Sequence, residues 1–162
     1  PKLLNKLKEH AEQFPAEAGN GIISVEVKGK SDQENATQKL FEEFGVTKEK
    51  SQPHSSILQT MTGFSDVYAY TSSPYDYGSY YAETSTDRVF YQLDVYSRLY
   101  INSLYQTSIW DYQYNNTISW GSALGRWSPS SDLNCFSMDS DHYAYDPSYG
   151  TYRNYTYDAS CV

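Results

Sequence analysis

VFYQLDVYSRLYINSLYQTSIWDYQYNNTISW, Val89 to Trp120, alternates over much of its length. Val89, Tyr91, Leu93, Val95, Leu99 and Ile101 are apolar or aromatic, and Gln92, Asp94, Arg98 and Asn102 fall between them. A period of two is the mark of a strand with one buried face. The first half has a helical competitor. Val89, Leu93, Tyr96, Tyr100 and Leu104 also follow a 3.6-residue spacing, and Thr84-x-x-Asp87 has the form of a capping box. On a helix, however, Tyr91, Val95, Ile101 and Tyr105 would point in nearly every direction. The abundance of Val, Ile, Thr and Tyr suits a pleated surface, so residues 89–105 read as strand with helix as the alternative. In the second half, IWDYQY and TISW flank Asn115-Asn116, a pair that tolerates positive φ. This predicts a hairpin, with Trp110, Tyr112 and Tyr114 on one face and Ile118 and Trp120 across from them.

Moving outward, the chain divides near residue 50. All lysines lie at or before Lys50, and beyond it the basic residues are Arg88, Arg98, Arg126 and Arg153. All 18 tyrosines, Tyr68 to Tyr157, lie on the far side. Residues 1–50 read as a helix–strand–helix unit. In KLLNKLKEHAEQF (2–14), Leu3, Leu4, Leu7 and Ala11 form an apolar side that Pro15 ends. IISVEVK (22–28) alternates as a strand. QENATQKLFEEF (33–44) places Ala36, Leu40, Phe41 and Phe44 at helical spacing before Gly45. VTKEKSQPHSS (46–56) has no periodicity and reads as a linker. In residues 51–162, ILQTMTGFSDVYAYTSS reads as one or two strands, SSPYDYGSYY as an aromatic loop, and the tail as strands about the turn D-P-S-Y-G. The expected fold is therefore α+β: the helix–strand–helix unit, then an antiparallel, sandwich-like, tyrosine-rich sheet. Residues 1–50 could also be a pro-segment or inhibitory unit for the tyrosine-rich part.

Length and charge bound the function. A chain of 162 residues can bury a real core. No run approaches the ~20 apolar residues of a membrane span. A net charge of −8 argues against nucleic acid as partner, because neutralising phosphates needs a surplus of Lys and Arg. No signal peptide opens the chain, and Pro1 in place of an initiator methionine is consistent with a processed end. Cys135 and Cys161 allow one intramolecular bridge, a disulfide pinning the tail; two reduced thiols in a cytosolic protein are the competing reading. N-x-S/T sequons begin at Asn35, Asn115 and Asn154. Together with the cysteine pair they predict a secreted or cell-surface protein.

No motif for catalysis, cofactor or metal stands out. Asp139-x-Asp141 followed by Asp146 begins like a calcium loop, but Tyr143 stands where an oxygen ligand is needed and no glutamate closes it. His10, His54 and His142 are scattered, and neither cysteine has a histidine in a recognisable relation to it. Carboxylate pairs for glycoside hydrolysis can be drawn freely from Asp66, Asp76, Glu83, Asp94 and Asp111, which leaves hydrolysis undirected. The tyrosine excess carries the functional expectation, since a buried tyrosine must satisfy its hydroxyl and a core does not need so many. It predicts a structural or assembly protein (a subunit of a fibre, surface layer or adhesin) whose partner is a second copy or another surface protein. The alternative is a carbohydrate-binding module that stacks sugars on Trp110, Tyr112, Trp120 and Trp127. A tyrosine-covered sheet with no further role is the third reading.

Overall fold

The computed structural model describes residues 19–29, 52–53 and 60–162. Seven antiparallel strands make one sheet: β1 (Gly21–Val27), β2 (Gln52–Pro53), β3 (Met61–Ser72), β4 (Tyr75–Ile101), β5 (Leu104–Trp127), β6 (Cys135–Asp146) and β7 (Gly150–Cys161). The α+β expectation is corrected: among the described residues the protein is all-β, with no helix. The helices expected at 2–14 and 33–44, and the linker at 46–56 apart from Gln52 and Pro53, lie outside the described residues. The strand expected at 22–28 is β1, and it joins the same sheet as the tyrosine-rich strands by pairing with β5.

The frame is the β4–β5 hairpin. Its turn is Asn102–Ser103, both at positive φ (51° and 65°), as a two-residue hairpin turn requires. The hairpin expected about Asn115-Asn116 is therefore corrected. Asn115 does take a positive φ of 52°, but the chain runs on through it as β5. There the β4–β5 register slips between Ser85 and Phe90, so the long hairpin changes course without turning back. Residues 89–101 are strand, which removes the helical alternative. SSPYDYGSYY is corrected from loop to hairpin: Ser73–Pro74 is the turn, and Tyr75 onward is β4, paired with β3 from Tyr75↔Ser72 to Thr86↔Met61. The tail folds as expected, with β6 and β7 joined through Asp146–Gly150.

The change of course makes two leaves. The first leaf joins β1, the second half of β5, the first half of β4, β3 and β2. The second joins the first half of β5, the second half of β4, β6 and β7. Between them lies a core of Val67, Tyr80, Ala82, Val95, Leu99, Ile101, Ile109, Ala123, Phe136 and Met138. Small residues on the first leaf admit large ones from the second. A Cβ on Gly78 would lie 2.7 Å from Phe136 Cβ, and one on Gly63 would lie 2.7 Å from His142 Cγ. Glycine in a strand here marks the place where a large side chain of the opposite leaf packs directly on the backbone. Tyr80 reaches across and donates its hydroxyl to the Tyr100 carbonyl at 2.8 Å. The first leaf is buried on its other face as well, where Phe64, Tyr81 and Trp120 cluster and Tyr81 stacks on Trp120 at 6.2 Å.

Polar side chains also join the leaves. Thr84 and Thr156 flank the imidazole of buried His142, at 2.8 Å from Nδ1 and 2.7 Å from Nε2. Thr156 continues to Ser65, Ser65 to Ser140 at 3.0 Å, and Ser140 to Ser97 at 2.7 Å. The network crosses from β3 to β6 and β7, and it answers the hydrogen-bonding demand of six buried polar side chains. The exposed edge of β3 is closed differently. Val67 N–H donates to Asp158 Oδ2 at 2.8 Å, and Ala69 N–H to Ser160 Oγ at 3.0 Å, so side chains of β7 stand in for a missing strand. The Cys135–Cys161 disulfide fastens β7 to β6 at a directly paired position.

Candidate functional site: an aromatic face beside an open strand edge

The register of the second leaf sets what its outer face displays, because directly paired residues share a face. Reading from β5 through β4 and β6 to β7, one row is Tyr114–Gln92–Tyr145–Thr151 and the next Tyr112–Asp94–Tyr143–Arg153. Then come Trp110–Tyr96–Asp141–Tyr155, Ser108–Arg98–Asp139–Tyr157 and Tyr105–Tyr100–Ser137–Ala159. The alternation of Val89–Trp120 is thus a division of labour. Leu93, Val95, Leu99 and Ile101 fill the core, while their even-numbered neighbours face out beside aromatic residues of β5. Standard strand spacings give this face roughly 14 by 27 Å, about 400 Å². Half of the twenty positions in these rows are tyrosine or tryptophan.

The rings lean on one another without forming a plane. Trp110 and Tyr112 lie 5.0 Å apart at 43°, Tyr112 and Tyr114 6.0 Å apart at 75°, and Tyr91 meets Tyr114 at 5.6 Å and 59°. Arg98 is the centre of charge. It bonds to Asp139 and, from Nη1, to Asp141 Oδ2 at 2.9 Å, with its guanidinium 5.4 Å from the Tyr96 ring centroid. Arg153 sits 4.9 Å from the Tyr143 ring in the same way. Among the acids on this face, Asp94 stands out: burial pushes its carboxyl up, hydrogen bonds from Gln92 and Trp110 pull it down, and the nearby Asp111 charge raises it again.

Along the β5 margin runs a groove of about 450 Å³ lined by Val27, Gly29, Trp110, Asp111, Tyr112, Gln113 and Tyr114. A smaller one of about 180 Å³ continues past Val25, Ser108 and Ile109. Asp111 points inward and is 3% exposed. It accepts hydrogen bonds from Gly29 N–H at 2.9 Å, Ser119 O–H at 2.6 Å and Trp120 N–H at 3.2 Å, which ties the end of β1 to the change of course in β5.

The four stacking candidates separate. Trp110 (55% exposed) and Tyr112 share the outer face and the groove, Trp120 is buried at 1%, and Trp127 is half-buried against the core. Among the sequon residues, Asn115 is exposed at the change of course, Asn154 is half-buried with its Thr156 in the core, and Asn35 lies outside the described residues. Asp139 and Asp141, which begin like a calcium loop in the sequence, are the partners of Arg98. His142 is buried between two threonines, and His10 and His54 lie outside the described residues. Sequence reasoning missed Tyr96, Arg98, Tyr155 and Tyr157 as members of one face. The signal was the Y-x-Y repeat at 112 and 155, but joining those segments needs the register across β4 and β6.

Among the described residues no group of three or more His, Cys, Asp or Glu side chains is placed to hold a metal ion. No described helix is long and apolar enough to cross a membrane. The disulfide is a bond that persists in oxidising compartments such as the cell exterior. No protein-family model matches the chain, and neither a curated protein nor a solved structure matches it.

Proposed function

We propose that this protein is a secreted or cell-surface assembly protein, a subunit of a fibre, surface layer or adhesin, that binds its protein partner through the outer face of the second leaf. The observation that carries the reading is the set of rows spanning β5, β4, β6 and β7, which gathers tyrosine, tryptophan and arginine on one open face. These residue types dominate the energetics of protein interfaces. The tilt of the rings supports a protein over a sugar as occupant. At 43° to 75° from one another, neighbouring rings on β5 offer no shared plane to a run of sugar rings. The experiment is light scattering of the protein over a wide concentration range, beside a Tyr96→Ser/Tyr155→Ser variant. The reading expects mass to rise with concentration and the variant to reach a lower mass than the wild type at every concentration. A wild-type protein that is monomeric throughout would remove the support for assembly.

One observation favours a second reading, carbohydrate binding: Trp110 and Tyr112 share the groove wall with Gln113, so rings and a hydroxyl-binding amide lie together. Trp110 is the exposed tryptophan of the three, so titration with soluble polysaccharides should change tryptophan fluorescence and a Trp110→Ala variant should not respond. An unchanged spectrum in the wild type eliminates this reading for the sugars tried.

A further inference from the structure

We infer that the partner is a second copy of this chain, and that the two copies join edge to edge along the first half of β5, Leu104–Asn116. The inference rests on the assembly reading and adds to it a second contact, at the strand edge beside the outer face.

The first half of β5 pairs with β4 on one side, and no described strand pairs with the other. β1 covers only the second half of β5, ending at Val27↔Gly121 with Lys28 N–H on the Trp120 carbonyl. Unpaired edges template further strands, and proteins usually blunt them with lysine, proline or a presented charge. Among the described residues none of these stands on this edge. Leu104–Asn116 contains no lysine, arginine or proline, and its one acid, Asp111, is turned inward and bonded by Gly29, Ser119 and Trp120 of its own chain. The edge of β3, by contrast, is capped by Asp158 and Ser160.

Charge limits where a second copy can dock. The chain carries −8, so two copies repel over most of their surface. The β5 edge is a long described stretch where they can meet without setting carboxylates opposite one another. Area gives a reason for a second contact. The outer face alone, at roughly 400 Å², is about half of the ~800 Å² per partner that a stable complex buries. A two-fold axis through the β5 edge supplies a separate contact that leaves both outer faces open, and β5 against its own copy is antiparallel like every other pair in the sheet. The grooves beside Val25, Val27 and Trp110 then lie within the interface, and the aromatic rows of both copies run on as one face.

Introducing charge of either sign at the edge tests this. In a register centred on Tyr112, Trp110 of one copy faces Tyr114 of the other. Native mass measurement is made on the wild type, on Trp110→Lys/Tyr114→Lys, on Trp110→Glu/Tyr114→Glu and on an equimolar mixture of the two variants. The inference expects a wild-type dimer, a shift of each variant to monomer by ten-fold or more in dissociation constant, and recovery of a dimer holding one copy of each in the mixture. That recovery also shows both variants are folded. Dimers of unchanged affinity in either variant alone, or a mixture that stays monomeric, overturn the inference. If a Tyr155→Ser/Tyr157→Ser variant, far from β5 on the same face, loses association while both edge variants keep it, the face reading stands and the edge inference falls. A monomeric wild type removes both.

Discussion

Burial of His142 makes a quantitative demand on stability against pH. The ring lies between Thr84 and Thr156, with Gly63 directly against it. Thr84 donates its hydroxyl to the Asp94 carbonyl at 2.8 Å, so it accepts from Nδ1–H, and Nε2 is left to accept from Thr156. Burial pushes the imidazole down from 6.5 to about 4, against a smaller opposing effect of the Asp141 charge and a hydrogen bond to the Glu83 backbone. The unfolded chain therefore takes up a proton near pH 6.5, while the folded chain resists until about pH 4. The stabilisation is complete above the unfolded value and is lost as pH falls through that window. A difference of about 2.5 units corresponds to about 3 kcal/mol. Urea unfolding at several pH values measures it, with His142→Gln as reference, since glutamine offers both a donor and an acceptor and does not titrate. Carboxylate contributions are common to both proteins and cancel in the difference. The wild type should lose about 3 kcal/mol more than the variant between about pH 7 and pH 4. Parallel curves would refute the claim that a neutral, desolvated His142 is part of the folded core.

Gly78→Ala forces a methyl group into the Phe136 side chain and should cost about 1–3 kcal/mol in urea unfolding. Phe136→Leu in the same chain should recover part of that loss, and additive losses would refute the contact. Opening the disulfide with Cys135→Ser/Cys161→Ser frees a loop of sequence separation 26 and should cost about 3.5 kcal/mol by loop entropy. A change in thermal midpoint within error would show that the paired strands alone hold the tail. Asp158→Ala removes the acceptor for Val67 N–H and should speed hydrogen exchange at that amide selectively, with about 1–2 kcal/mol of destabilisation. Unchanged exchange at Val67 would mean that β7 does not cap the β3 edge.

The period of two is legible over Leu93–Ile101 because the two faces of β4 meet different environments there, core and solvent; Val89 and Tyr91, read as part of the same apolar face, are exposed, and Phe90 between them is buried. The same rule does not reveal the first leaf as a whole. Tyr77, Tyr80, Tyr81, Ala82 and Glu83 are all buried in succession, so no alternation marks the start of β4, and its Pro, Gly and Ser content imitates a loop. Asn115 is the instructive case. It does take the positive φ that asparagine tolerates, but local chemistry does not say whether a left-handed residue reverses the chain or only redirects a long strand. The true turn, Asn102–Ser103, has a serine at positive φ, which composition does not favour. Trp110 and Tyr112 come together by spacing alone, being two residues apart on one strand. Trp120 parts from them because the change of course at 115–118 and the slip of the β4 register carry it to the first leaf, against Tyr81.

Hydrogen exchange compared between dilute and concentrated solutions bears most directly on the claim that the second leaf assembles along its β5 edge. Added protection at high concentration should be confined to Leu104–Tyr114 of β5, whose outer amides gain partners, with β3 and the buried half of β4 unchanged. Identical exchange at both concentrations, or added protection spread evenly over all strands, would contradict the account.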